Sequence, residues 1–200
     1  MDEQTKDLIK KLHEPFDEDL AEEVEIPYTY KDGSGELHHE TETRVQFPDW
    51  MYEKRLDDVF GLNWQNTISL VHYFGMNYWC CTLAVKLSED KSIARAGLHG
   101  ASTSYVLASA CEMVGIGGIG ISGRLYCARR LNEKFGLDWN YEVHWEDEHN
   151  MLSGSGSYRC EVEVSLADGD RIIRTAVGED SEKAFVRACG LFGIDPNSAT

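Results

Sequence analysis

The segment RLDDVFGLNW (residues 55–64) returns 75 residues later as RLNEKFGLDW (130–139), identical at six of ten positions. The match continues downstream. YWCCTLAVKLSEDKSIAR (78–95) aligns with YRCEVEVSLADGDRIIR (158–174) after one deletion, and SACEMVGI (109–116) aligns with RACGLFGI (187–194). Three collinear matches at offsets of 75 to 80 residues mean that one architecture has to serve two stretches of the same chain.

Each copy reads as helix, three strands, helix. Residues 50–61 place Met51, Leu56, Val59 and Phe60 at helical spacing before Gly61, and residues 125–136 do the same with Leu125, Leu131 and Phe135 before Gly136. Strands are expected at about 65–74, 77–88 and 91–98, and again at about 140–149, 157–167 and 170–177. They are separated by the turn formers FGMN, SEDK, SGSGS and ADGD. Cys160, Val162, Val164 and Leu166 alternate with Glu161, Glu163 and Ser165, the pattern of an antiparallel strand with one wet face. The closing helices are expected over 103–114, capped by Ser102 or Thr103, and over 182–192, capped by Asp180 or Ser181.

The expected organisation is α+β: two pseudo-symmetric α-β-β-β-α units whose antiparallel sheets carry helices on one face. The units span 51–117 and 124–195, with a Gly-rich junction at 118–123 and a tail at 196–200. Residues 1–50 form an acidic N-terminal segment, with a short amphipathic helix at 3–12 and a hairpin of 23–31 and 36–46 around DGSG.

Charge narrows the function classes. The net charge is −16, and residues 1–50 contribute most of it, with 15 acids against 5 bases. A body this acidic is not coated in nucleic acid, but a local basic groove is compatible with it, because phosphate is felt only over about 10 Å at moderate salt. Six cysteines without a CxxC pair, no signal peptide and no apolar run of about 18 residues point to reduced thiols in a cytoplasmic, non-membrane protein.

Motifs for covalent chemistry are thin. GIGGIG (115–120) has the letters of a dinucleotide loop but follows a helix and links two units, so it reads as a linker. His38–His39 and the pair His144 and His149 lack tetrahedral ligand spacing. Cys80–Cys81 has no adjacent base. The expectation is a non-enzymatic protein with no cofactor and no metal.

The order "helix, F-G-x-x-x-W, three strands, helix ending A-x-x-x-F-G-I" resembles the Rad-fifty-two-type single-strand annealing proteins of recombination and their bacteriophage relatives. KKLHEPFDEDLAEEVE (10–25) resembles that family's entry segment, RLDDVFGLNWQ (55–65) its first helix, and KAFVRACGLFGI (183–194) its last helix. The resemblance implies single-stranded DNA binding and annealing in recombination or repair, a homo-oligomer, and a recombination or single-strand-binding protein as partner. Basic residues would grip the phosphate chain: Lys54, Arg55, Lys86, Lys91 and Arg95 in the first copy, and Arg124, Arg129, Arg130, Lys134, Arg159, Arg171, Arg174, Lys183 and Arg187 in the second. Lys54, Arg55, Arg95, Arg129, Arg130, Arg159, Arg174, Lys183 and Arg187 are the leading candidates, with Trp64 and Trp139 as stacking or core residues.

The chain departs from that family in three ways. The unit occurs twice. The last helix of copy one has Ala108, Ser109 and Glu112 where the family carries bases, while copy two keeps Arg187 with Lys183 a turn earlier. The whole chain is acidic. These departures favour two alternatives: a degenerate member acting through protein–protein contacts, as an acidic regulator or nucleic-acid mimic, or a binder of double-stranded RNA, whose domain shares the α-β-β-β-α order.

Overall fold

The computed structural model describes residues 1–31, 34–73, 76–89, 91–99, 106–117, 122–146 and 157–196. The expected caps Ser102 and Thr103, most of the SGSGS turn and most of the Gly-rich junction lie outside them. The chain is α+β, and it divides into two compact units, Leu12–Gly120 and Met1–Lys11 with Ile121–Thr200.

Helix α1 (Glu3–His13) opens the chain, its first turn closed by the Asp2 carboxylate accepting from Thr5 N at 2.7 Å. In the first unit a short 3-10 turn (Glu18–Leu20) leads to the hairpin β1 (Glu22–Lys31) and β2 (Leu37–Gln46), which pair antiparallel from Glu22↔Gln46 to Lys31↔Leu37. Helix α2 (Asp49–Phe60) follows. Strands β3 (Trp64–Tyr73), β4 (Met76–Lys86) and β5 (Ser92–His99) form an antiparallel sheet in that order, and α3 (Val106–Glu112) packs on β4 and β5.

The second unit repeats the order. Helix α4 (Gly123–Phe135) precedes the antiparallel sheet of β6 (Trp139–Glu146), β7 (Ser157–Ser165) and β8 (Arg171–Gly178). Helix α5 (Ser181–Gly190) lies on that sheet, with α4 packed beside it. The Asp180 carboxylate caps α5 by accepting from Lys183 N at 2.7 Å, which selects Asp180 over Ser181.

Alternation decides which face each sheet buries. Directly opposed residues of an antiparallel pair share a side. Cys81, Leu83 and Val85 on β4, and Cys160, Val162 and Val164 on β7, are fully buried beneath the helices. Leu56 of α2 and Leu131 of α4 are also at 0% exposure, so each contributes about 1.5–3 kcal/mol of transfer free energy.

The same hydrogen bonds recur at equivalent positions. Gly61, at φ +59°, ends α2 by donating to Asp57 O at 2.9 Å. Gly136, at φ +70°, ends α4 by donating to Asn132 O at 2.8 Å. These left-handed conformations favour glycine. Asn63 O accepts from Lys86 N at 2.7 Å, as Asp138 O does from Ser165 N at 2.8 Å. Leu87 N donates to Lys91 O and Leu166 N to Asp170 O, both at 2.8 Å.

Candidate nucleic-acid interface

The two tryptophans are held from the helix side. Trp64 Nε1 donates to the Asp57 carboxylate and Trp139 Nε1 to the Asn132 amide oxygen, each at 2.8 Å. Trp139 is buried and tilts over Phe185 at 6.1 Å between centroids. Both indoles therefore tie a helix to its first strand, which is a packing role.

Most of the leading basic candidates are engaged within their own unit. On α2, Lys54 pairs with Asp58 at 2.8 Å, and Arg55 donates to Glu14 O at 2.6 Å with its guanidinium over the Phe16 ring. Arg95 of β5 is 2% exposed and donates to Ala94 O at 3.1 Å, so its charge is out of a phosphate's reach in this conformation. On α4, Arg129 is half-buried, and Arg130 pairs with Glu133. Arg159 is exposed on the helix-free face of the second sheet. Arg174 sits at the position equivalent to Arg95 and makes the same contact, donating to Ile173 O at 3.0 Å. It is exposed, and its guanidinium lies over Phe192. On α5, Lys183 and Arg187 share Glu179, and Arg187 also donates to Val177 O at 2.8 Å.

Glu179 shows the consequence. Its own backbone N–H, then the charges of Arg187 and Lys183, hold its carboxyl below the ordinary value. Two candidate phosphate ligands are thus partly neutralised by one acid. Of the remaining second-copy candidates, Arg171 pairs with Glu163 at 3.1 Å and Lys134 donates to Phe192 O at 2.7 Å.

A different surface stands out on the first sheet. Strands β3, β4 and β5, of 10, 11 and 8 residues, contain no Asp or Glu in a chain where 35 of 200 residues are acidic. Opposite its helix side this sheet presents Gln65, Thr67 and Ser69 on β3, Cys80, Thr82, Ala84 and Lys86 on β4, and Ser92, Ala94 and Ala96 on β5. At one end of this open face is a cleft of about 480 Å³. Its lining includes Asn63, Gln65, Ser88 and Ser92, with Lys86, Lys91 and the single acid Glu89. Two ammonium groups, amides and hydroxyls around a carboxylate-poor floor match what a phosphodiester chain requires.

The sequence reading named Lys86 and Lys91 only as secondary candidates and missed the polar face beside them. The absence of acids across three consecutive strands is a signal visible in the sequence. That signal lies in where acids are missing, not in where bases stand.

The thiols are set for packing. Burial pushes Cys81 up to about 11 and Cys160 up to about 12, and raises Cys111 and Cys189 as well, so these sulfurs are neutral near pH 7. Among the described residues, no three His, Cys, Asp or Glu side chains are grouped to hold a metal ion, and no helix is long and apolar enough to cross a membrane. No protein-family model matches this chain, and no curated protein matches it.

Proposed function

We propose that this protein binds single-stranded nucleic acid without covalent chemistry, on the open face of the β3–β4–β5 sheet, in keeping with the resemblance to single-strand annealing proteins. One observation carries this reading: the acid-free sheet ends in a cleft holding Lys86 and Lys91. A polyanion approaching a body of net charge −16 is repelled by its carboxylates, and a face built on three strands without Asp or Glu weakens that repulsion locally. Lys86 and Lys91 supply phosphate contacts. Gln65, Thr67, Thr82 and Ser92 supply sequence-tolerant hydrogen bonds from a flat platform.

The test is fluorescence anisotropy of a labelled 20-nucleotide oligothymidylate from 25 to 200 mM salt. Two phosphate contacts on a single strand give a log K against log salt slope of about −1.4. The double variant Lys86→Glu with Lys91→Glu is expected to lose at least tenfold in affinity and flatten that slope, while Lys183→Glu changes affinity by much less. No binding at 25 mM salt, or a larger loss from Lys183→Glu, sinks the reading.

A further inference from the structure

Positive charge on the open face of the β3–β4–β5 sheet is gathered at one end. Lys86, the last residue of β4, is paired with Ser92, the first of β5. Lys91 closes the turn between them, its carbonyl accepting from Leu87 N at 2.8 Å and Ser88 N at 3.1 Å. Lys86 N donates to Asn63 O at 2.7 Å, which holds the α2–β3 connection against the same corner. Further along, this face carries Thr67, Ser69, Cys80, Thr82, Ala94 and Ala96, and among the described residues no Lys or Arg, because Arg95 of β5 is turned to the helix side. A groove that tracks a strand needs cations spaced along it, since every nucleotide brings a phosphate. Here the cations stand in one place.

The cleft in that corner has the size of a site for one small group. Its volume of about 480 Å³ falls within the range of about 300–1,000 Å³ usual for small-molecule sites. Among the described residues its charged lining is Lys86 and Lys91 against one carboxylate, Glu89, and Asn63, Gln65, Ser88 and Ser92 add amides and hydroxyls. A phosphodiester within a strand has one negative charge and two terminal oxygens. A phosphomonoester has three terminal oxygens and a charge of about −1.5 to −2 at pH 7. Two ammonium groups with several neutral donors in one cleft suit the monoester better.

The second sheet builds the same corner from different side chains. Ser165 N donates to Asp138 O and Leu166 N to Asp170 O, each at 2.8 Å, and Ser165 is paired with Arg171. Ser165 and Asp170 thus stand in the places of Lys86 and Lys91, and Asp138 in that of Asn63. Arg171, in the place of Ser92, is paired with Glu163 at 3.1 Å. The backbone of this corner therefore does not make an anion site by itself; the lysines of the first sheet do.

We propose that the cleft holds the terminal phosphomonoester of a nucleic-acid strand, so that the protein prefers phosphorylated strand ends, with the rest of the strand lying across the uncharged face. This rests on the reading of that face as the nucleic-acid site and adds which part of the strand the lysines grip.

The experiment uses the full chain and displaces the labelled oligothymidylate with unlabelled 20-nucleotide strands that end in hydroxyls, in a 5′-phosphate or in a 3′-phosphate. A 22-nucleotide strand with hydroxyl ends matches the total charge of the phosphorylated ones. At 50 mM salt a phosphorylated strand, of either kind or of both, is expected to compete at least fivefold better than both hydroxyl-ended strands. In Lys86→Gln and in Lys91→Gln that ratio is expected to fall to within twofold of one. Equal competition by all the strands overturns the terminal site and leaves nucleic-acid binding standing, whereas a labelled strand that does not bind at all removes both. A preference that survives both substitutions puts the phosphate elsewhere and overturns the assignment to this cleft. Both lysines are exposed, so neither substitution threatens the fold, and the comparison of strands needs no variant.

Discussion

The helix-free faces of the two sheets differ far more than their helix sides do. Beneath the helices, Cys81, Leu83 and Val85 correspond to Cys160, Val162 and Val164, all fully buried. On the open side, the first sheet carries Thr67, Thr82, Ala84 and Ala94, whereas the second carries Glu142, Arg159, Glu161, Glu163 and Arg171. Glu142 even stands directly opposite Glu161, a like-charge pair that disfavours the sheet, while His144–Glu142 and Arg171–Glu163 contacts offset part of that cost. Packing against a helix asks the same of both buried sides, small or branched apolar residues. Solvent asks little of the open sides, and it is there that the two sheets present different chemistry.

The buried sides are expected to respond alike, and the largest effects test that. Leu56→Ala and Leu131→Ala each truncate a side chain at 0% exposure and should each cost about 2–5 kcal/mol, read by chemical denaturation. A small loss at one position alone breaks the equivalence of the two helices. The aligned arginines should respond unequally. Arg95→Ala removes the bulk of a fully buried side chain and should cost about 2–4 kcal/mol. Arg174→Ala loses an exposed contact over Phe192 worth about 0.5–1 kcal/mol.

The tryptophan clamps give the next contrast. Asn132→Ala strands the buried indole N–H of Trp139 and should cost about 1–3 kcal/mol, whereas Asp57→Ala leaves Trp64 able to recruit water and should cost about 1 kcal/mol or less. Comparable losses from the two substitutions would remove burial as the deciding variable.

The smallest effect is in pH, and it has opposite signs in the two units. Desolvation, then the charge of Glu53, raises Asp49 above its ordinary 3.8. Protonating it favours the folded first unit, so that contribution improves as pH falls through the raised value toward 3.8. Glu179 in the second unit is lowered from 4.5, so the stability it supplies is present above 4.5 and is lost as pH falls through the lowered value. Melting curves of Asp49→Asn and Glu179→Gln between pH 3 and 6 should diverge from the parent in opposite directions.

Much of the fold was legible in the sequence because periodicity and turn chemistry report local structure. Helices ending at Gly61 and Gly136, the β7 alternation and the hairpin around DGSG all lie within a few residues of where they were expected. The candidate site was less legible. Bases such as Lys54, Lys183 and Arg187 look available in a list of letters, and their acid partners three, four or eight positions away become visible only when a helix or turn brings them together. Arg95 and Arg174 align with each other, yet no local pattern announces that one is buried and the other is not.

Two glycines mark a difference in how each closing helix meets its sheet. A Cβ on Gly97 of β5 would lie 2.6 Å from the Ser109 carbonyl carbon in the middle of α3, and a Cβ on Gly178 of β8 would lie 2.8 Å from the Lys183 carbonyl carbon in the first turn of α5. Their positions do not correspond: the strand pairing sets Gly97 against Cys81, whereas Cys160, the counterpart of Cys81, faces Ala176. Each helix has therefore bedded into its own notch, two residues apart along otherwise matching strands. The two seats are not interchangeable, and a chimera that sets one helix on the other sheet inherits a collision in place of a fit.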